Sequence, residues 1–415
     1  MAQFIIVEPI PFLLDEIIRM LKNYESHEIC IITNDQKIVK DYPQFYYISM
    51  NILNEDNFPQ ISNEISLLPF EIDTIFTASE KHIVATEKFK AYLGFSSNEF
   101  ENFNVLRDKA LMKKIWNSKS LPTSNYIEYT NEKDVSKITF PCVIKPKSSY
   151  GSTGVKLIEN LDELKQQFLK IKMWEKATND DNALRGTLIE EYFSGEEFTV
   201  DTFWYKGKPV AAFVMKKYGT NPPYFSDRLY YIAPDYEENN IYEEIISIAN
   251  KAVYSIGMRT GATHVEIKHN NNSYSLIEAA FRPGGHTTVY QLFKKQFNID
   301  VFHFYLCVML GNEEKISSYI KSMKEAKQKL TFYYDMGYDE FGIVKAIEGL
   351  DKLGELPGVH EIDVMQLTEI GGFIGPETLS SGNKLCLITG YYTDIDTLLK
   401  HTNNNFGLKL QTNRR

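Results

Sequence analysis

Residues 263–286, THVEIKHNNNSYSLIEAAFRPGGH, constrain this chain more than any other stretch. Alternating residues flank the cluster Asn270-Asn271-Asn272-Ser273, which is the pattern of a β-hairpin. With a loop over 271–273, Glu266 falls opposite Glu278 and Lys268 opposite Leu276. Side chains alternate between the faces of a strand, so Glu266, Glu278 and Arg282 share one face. Two facing carboxylates repel unless a cation lies between them. A hard divalent ion suits such a pair, and Mg²⁺ usually joins carboxylates to substrate phosphates. Arg282, one step along, is placed to hold an anion beside that ion. A solvated hairpin with ordinary surface charges shows the same pattern, so the rest of the chain has to decide.

At 415 residues, two or three domains are expected. A net charge of −10 argues against non-specific nucleic-acid binding. Cys30, Cys142, Cys307 and Cys386 are far apart and form no C-x-x-C pair, which fits buried thiols in a reducing cytoplasm rather than zinc sites or disulfides. The start, MAQFIIVEPI, has no basic region followed by an apolar core, so no signal peptide is expected. The most apolar run, 299–310, is too short to span a bilayer. It predicts a buried helix, though such a helix would also permit a homodimer.

Short apolar runs at 3–8, 29–33, 46–50 and 72–77 alternate with helical spacing, which predicts a parallel sheet in a Rossmann-like α/β unit. No G-x-G-x-x-G follows the first run, so this unit reads as a scaffold. Helices are predicted over 104–118, 161–174, 241–256 and 287–310, the last as one apolar helix. Strands are predicted over 140–145, 155–158, 187–192 and 196–204. The loop Ser148-Ser149-Tyr150-Gly151-Ser152-Thr153-Gly154 joins two of them and can turn N–H groups and hydroxyls toward phosphates. Lys145, ending an apolar strand, needs an anionic partner or an exit to solvent. The aromatic tract 218–235 suits a substrate loop or a packed surface loop. From about residue 330, strands and Gly-rich turns predict a small closing α/β domain.

Taken in order, Lys109, Lys145, the loop, Glu190 to Glu197, Glu266, Glu278 and Arg282 resemble the ATP-grasp superfamily. Glu278-Ala279-Ala280-Phe281-Arg282 departs from the E-x-N-x-R of many members, since Ala280 cannot ligate metal. The tracts Gly261–Lys268 and Pro222-Pro223-Tyr224-Phe225 are similar to the L-amino-acid ligases, which are dipeptide synthetases and other carboxylate–amine ligases. The resemblance implies an ATP-grasp fold with an N-terminal Rossmann-like (pre-ATP-grasp) domain over 1–104. Subdomains over 105–186 and 187–329 and a C-terminal α/β domain over 330–415 follow. It implies ATP contacts from Lys109, Lys145, Ser152, Thr153, Gly154, Glu190, Glu191, Phe193 and Glu197. Glu191 and Phe193 would present backbone to the base, and Glu197 would bind the ribose. Glu266 and Glu278 would hold Mg²⁺, with Mn²⁺ as an alternative. Arg282 and Lys145 would be catalytic, and Asp227, Arg282, Gly285 and His286 would meet substrate. The implied reaction joins a small carboxylate to an amine through an acyl phosphate, in the cytoplasm, without nucleic acid or membrane. The rival readings are a bicarbonate-activating ligase of the carbamoyl-phosphate or biotin-carboxylase type, and an inactive nucleotide-binding regulator.

Overall fold

The structure is a computed structural model. It describes residues 2–23, 27–177, 184–219, 222–225, 228–233, 240–271, 273–284, 289–326, 329–337, 342–366, 368–374 and 384–413. The chain begins with β1 (Ala2–Val7), α1 (Pro11–Asn23), β2 (His27–Ile32), α2 (Gln36–Asp41), β3 (Tyr46–Ile48), α3 (Phe58–Ser66), β4 (Thr74–Phe76) and α4 (Ile83–Tyr92). Its strands form a parallel sheet in the order β3-β2-β1-β4. Both faces are covered, which is why these strands read as unbroken apolar runs. Ile5, Cys30 and Ile75 face α3 and α4, while Phe4, Ile31 and Phe76 face α1 and later helices.

A second sheet follows α5 (Lys109–Ser118). It comprises β5 (Tyr126–Tyr129), β6 (Cys142–Pro146), β7 (Lys156–Ile158) and, after α6 (Leu161–Ala177), β8 (Thr187–Glu191). The order is β5-β8-β6-β7, all antiparallel. Ile144, Ile158 and Ile189 pack on Leu164 and Ile171 of α6, so Val143, Lys145 and Glu190 look the other way. Helix α5 starts at Lys109, because the Asp108 side chain accepts from the N–H groups of Ala110 and Leu111. The helix expected from 104 is a separate short 3₁₀ turn up to Leu106.

The next elements are β9 (Glu196–Tyr205), β10 (Lys208–Tyr218), β11 (Leu229–Ile232), α7 (Asn240–Ile256), β12 (Gly261–Asn270) and β13 (Ser273–Ala280). Then come α8 (Val289–Phe297), α9 (Val301–Met309), α10 (Glu313–Glu325) and β14 (Leu330–Gly337). The chain ends with β15 (Gly342–Glu348), β16 (Val359–Gln366), β17 (Phe373–Ile374), β18 (Lys384–Tyr392), α11 (Ile395–Asn403) and β19 (Lys409–Asn413).

The last part of the chain does not close on itself: β14, β18 and β16 extend one eight-stranded sheet, ordered β13-β12-β9-β10-β11-β14-β18-β16, and only β15, β17 and β19 form a small sheet apart. β14 starts at 330, the boundary expected from the sequence, so the C-terminal α/β part shares the large sheet with what precedes it. The tract 218–235 is not all loop, since it contains β11. The helix expected over 287–310 is two. Asn298 adopts a positive φ, and Asp300 restarts the helix by accepting from the His303 N–H at 3.0 Å. Residues Val301 to Val308 are buried against the sheet, so this helix is used internally and offers no dimer face. Among the described residues, no helix is long and apolar enough to cross a membrane.

Candidate active site: three rows of side chains under a Gly-rich loop

The hairpin closes with Asn270 opposite Ser273, one residue tighter than expected. Lys268 therefore pairs with Ser275, not Leu276. A bulge at Ile277 restores the register, and Glu266 lies opposite Glu278 as the alternation predicts. The odd positions Val265 and Ile267 enter the core under α7, and the even positions His264, Glu266 and Lys268 turn to the other face, where Glu266 and Lys268 line a cleft.

Neighbouring strands extend these positions into three cross-strand rows. The first runs Tyr230, Lys217, Glu197, Lys268, Ser275 across β11, β10, β9, β12 and β13. The second runs Met215, Thr199, Glu266, Glu278, and the third Phe213, Asp201, His264, Ala280. Rows two residues apart along extended strands are separated by about 7 Å. The third row ends beneath α8, where the Phe213 and Phe293 rings stack at 4.4 Å. The sheet of β5 to β8 covers the first, leaving a cleft between the two sheets. Ser124, bonded to Ser275, ties the two sheets together at one edge.

Lysines and glutamates alternate in the cleft and in the wall behind it. Lys109 reaches Glu278 at 3.1 Å and donates to the Ser149 carbonyl at 2.9 Å. Lys145 lies 2.7 Å from Glu190, and Lys113 lies 3.4 Å from the other oxygen of that carboxylate. Lys217 bridges Glu197 at 2.5 Å and Glu266 at 3.2 Å. Lys268 stands 3.8 Å from Glu197, with its ammonium 5.0 Å from the Phe225 ring and 5.6 Å from Tyr192. Burial pushes Lys113 down to about 8 and lowers Lys268 as well. Burial works against charge on Glu278, but Lys109 and Lys145 outweigh it and hold its carboxyl below the ordinary value. Burial likewise opposes charge on His264; Asp201, 2.8 Å from its Nδ1, and Glu266 outweigh it and raise its pKa.

The cleft is lined by Lys145, Gly151, Ser152, Glu190, Glu191, Phe193, Glu197, Glu266 and Glu278, all drawn from the sequence reading. Lys109 enters through its ion pair with Glu278. Thr153 and Gly154 are not among the lining residues. At Gly154, φ is +79° and an added Cβ would stand 2.9 Å from Pro146, so this residue shapes the loop from behind. Ser152 donates to the Phe225 carbonyl at 3.0 Å, which holds the loop down against the aromatic tract. The Glu191 N–H does not face the cleft, because it donates to the Asn125 carbonyl at 3.0 Å. Arg282 also lies off the cleft lining: its Nε donates to Glu80 of the first domain at 2.5 Å, and a terminal nitrogen donates to the Pro283 carbonyl. Asp227, Gly285 and His286 lie outside the described residues.

Sequence reasoning passed over Lys113, Lys217, Lys268, Asp201 and His264. Asp201 carried a signal, a lone carboxylate within the apolar strand FTVDTFW. His264 and Lys268 share the alternation that picked out Glu266.

For a divalent ion, Glu266 and Glu278 supply facing hard oxygen donors, and both border the open cleft. No cluster of three or more His, Cys, Asp or Glu suited to a metal occurs among the described residues. The pair fits an ion that completes its shell with phosphate and water, as Mg²⁺ does. It does not fit an all-protein cage. Ala280 adds no donor opposite His264.

The ATP-grasp domain family matches residues 138–290. Alanine–anticapsin ligase of Bacillus subtilis is 24% identical over 265 residues, covering 59% of this chain and 55% of that protein. D-alanine–D-alanine ligase of Bacillus anthracis is 30% identical over 121 residues, covering 28% of this chain and 37% of its own length. The chain thus spans about half, or less, of the length of these curated relatives. An L-amino acid ligase from Bacillus licheniformis superposes with a TM-score of 0.76 at 18% identity, covering 100% of this chain and 99% of that one. The extent of that superposition shows a shared fold. Residues 138–290 match the ATP-grasp domain family, and the chain as a whole shares its fold with, and resembles, an L-amino acid ligase.

Proposed function

We propose that this protein is an ATP-dependent carboxylate–amine ligase that makes an amide or peptide bond, with an amino acid as a substrate. One observation carries the reading. A single sheet face presents, in consecutive rows, an acid flanked by lysines (Glu197 with Lys217 and Lys268), then two facing carboxylates (Glu266 and Glu278), under lysines and a Gly-rich loop. A nucleoside triphosphate needs these groups in this order: an acceptor for ribose hydroxyls, cations for phosphates, and oxygen donors for the accompanying Mg²⁺. The ligase names of the alanine–anticapsin and D-alanine–D-alanine relatives point the same way.

In this reading a carboxylate oxygen attacks the γ-phosphorus, and the bond to the β-phosphate oxygen breaks to release ADP. The amine then attacks the acyl carbon, phosphate leaves, and the nitrogen gives up a proton. Lys109 and Lys145 neutralise phosphate oxygens. A bound divalent ion on Glu266 and Glu278 supplies further charge neutralisation. The loop, pinned by Ser152 to Phe225, keeps water from the acyl phosphate. Arg282, held by Glu80 of the first domain outside the cleft lining, would steady the acyl end from there. The acidic chain, with every cysteine buried and free, suits the reducing cytoplasm.

The test is ADP release from ATP and Mg²⁺ with paired amino acids, with mass spectrometry of the products. Release that needs an amino acid, with a condensed product, is expected. Release that needs bicarbonate instead would move the chain to the carboxylating ligases. No release with either would leave the regulator reading.

A further inference from the structure

Lys113 is a cation with no access to the cleft. Its side chain is fully buried on α5, and it is not among the residues that line the cavity. Two directed hydrogen bonds fix it, to Thr123 Oγ1 at 2.7 Å and to the Leu276 carbonyl at 3.3 Å. From there its charge stands 3.4 Å from Glu190 Oε2. Lys145 approaches the same carboxylate from the other side, at 2.7 Å from Oε1, and it does line the cleft. Yet Glu190 Oε1 accepts no hydrogen bond of proper geometry. The Lys145 contact is therefore one of charge and proximity, whereas Lys113 is bolted in place. One carboxylate is shared by an anchored lysine and an unanchored one.

We infer that Lys113 is a positioning residue for nucleotide binding: it is the standing counter-ion of Glu190, and it frees Lys145 to leave that carboxylate for a phosphate. The inference rests on the proposed nucleotide site and adds to it a residue that touches no ligand. The physical reason is the cost of a buried charge that loses its only partner. Without Lys113, moving Lys145 to a phosphate would strand Glu190 in a low-dielectric pocket, so Lys145 would stay parked and the site would bind weakly. With Lys113 present, Glu190 stays paired throughout. A chain that needed only a lysine–glutamate pair to hold α5, β6 and β8 together would not need the second cation. Nor would it leave the cleft-lining partner, Lys145, without a directed bond.

The test is a double-mutant cycle on the full chain. Calorimetry would measure the affinity of a non-hydrolysable ATP analogue with Mg²⁺ for wild type, Lys113→Met, Glu190→Gln and the double variant. Circular dichroism would confirm that each is folded. Lys113→Met is expected to weaken binding about tenfold, equivalent to about 1.4 kcal/mol. Lys113→Arg should restore most of it. Adding Glu190→Gln to Lys113→Met should also restore affinity to that of Glu190→Gln alone, because no charge is then left to strand. A merely structural lysine would show its loss, and its rescue by Glu190→Gln, in the denaturation midpoint, and would leave the affinity of the folded variant unchanged. Equal affinity of Lys113→Met and wild type overturns the inference, as does a double variant no tighter than Lys113→Met. Should Lys113→Met fail to fold, Lys113→Gln, which keeps a donor for Thr123, takes its place in the cycle. A wild type that binds no analogue would overturn the nucleotide reading itself, a result distinct from either of these.

Discussion

The eight-stranded sheet has two ends with the same backbone and opposite chemistry. At the end made by β9, β10, β12 and β13, the cross-strand rows are Lys217–Glu197–Lys268 and Glu266–Glu278. At the end made by β11, β14 and β18, the rows include Tyr231–Phe332 and Tyr334–Ile388, packed on Leu398 and Phe406. Antiparallel pairing holds both ends. The apolar end explains itself, since burial of such side chains drives folding. The charged end does not. Lys109, Lys113, Lys145 and Lys217 have side chains no more than 5% exposed. Buried ion pairs are seldom a gain over well-packed apolar residues. Four of them around one cleft are a burden on the fold that a bound polyanion and cation would relieve.

The largest effect that separates the two ends is on stability. Phe332 is fully buried, with its ring beside Phe406 and Tyr392. Phe332→Ala should lower unfolding free energy by about 3–5 kcal/mol, measured by denaturant titration. The fraction that stays folded should bind the ATP analogue as wild type does. A collapse of nucleotide affinity in folded Phe332→Ala would show that the ends are not separable.

At the charged end the expected loss is in rate. Glu278→Gln keeps shape and removes one of the facing charges, and Glu278 is about a third exposed, so the fold should survive. Turnover should fall by about 10²–10³, the size of several kcal/mol of lost charge stabilisation. Wild-type turnover in the folded variant would reduce the hairpin to a charged surface.

The next effect is smaller and concerns ligand. ATP with Mg²⁺, each near a hundred times its dissociation constant, should stabilise the protein by about 2.7 kcal/mol, read as a rise in melting temperature. Chelating the metal should remove most of that rise, because Glu266 and Glu278 then face phosphates with no cation between them. A rise that is indifferent to chelation would confine the nucleotide to the lysines and exclude the carboxylate pair.

How much of this was legible in the sequence follows from what is local. The facing glutamates were legible because alternation is a property of each strand alone. The bulge at Ile277 was not, and the agreement over Glu278 came from two one-residue errors that cancel, a turn taken too long and a bulge left out. The parallel sheet of β1 to β4 was legible because strands buried on both faces are apolar throughout. The joining of β14, β16 and β18 to the large sheet was not, because pairing between strands a hundred residues apart leaves no mark on local pattern. Lys113 was hidden for a related reason. On α5, beside Lys114, it reads as part of a solvated helix face, and only the packing of β8 and β13 over it makes it a buried cation.

The smallest expected effect tests whether the cleft pairs differ in kind from pairs elsewhere. Lys206 and Glu313 form an ion pair of ordinary length, 3.0 Å, but their side chains are 70% and 68% exposed. Side-chain hydrogen bonding with Tyr205 first, and then with Glu313, holds Lys206 above its usual value, and the bond from Lys206 holds Glu313 below its own. In water and salt, such a pair gains little beyond what solvent already supplies, and two long side chains lose freedom to make it. Glu313→Gln should therefore leave the denaturation midpoint and the nucleotide affinity unchanged, at low and at high salt. Glu190→Gln, at a pair of similar length inside the cleft, should shift nucleotide affinity because Lys145 is then free at all times. If Glu313→Gln destabilised the chain as much as a cleft variant did, burial would not be what sets the cleft lysines apart. The case that they are held there for a ligand would then lose its physical basis.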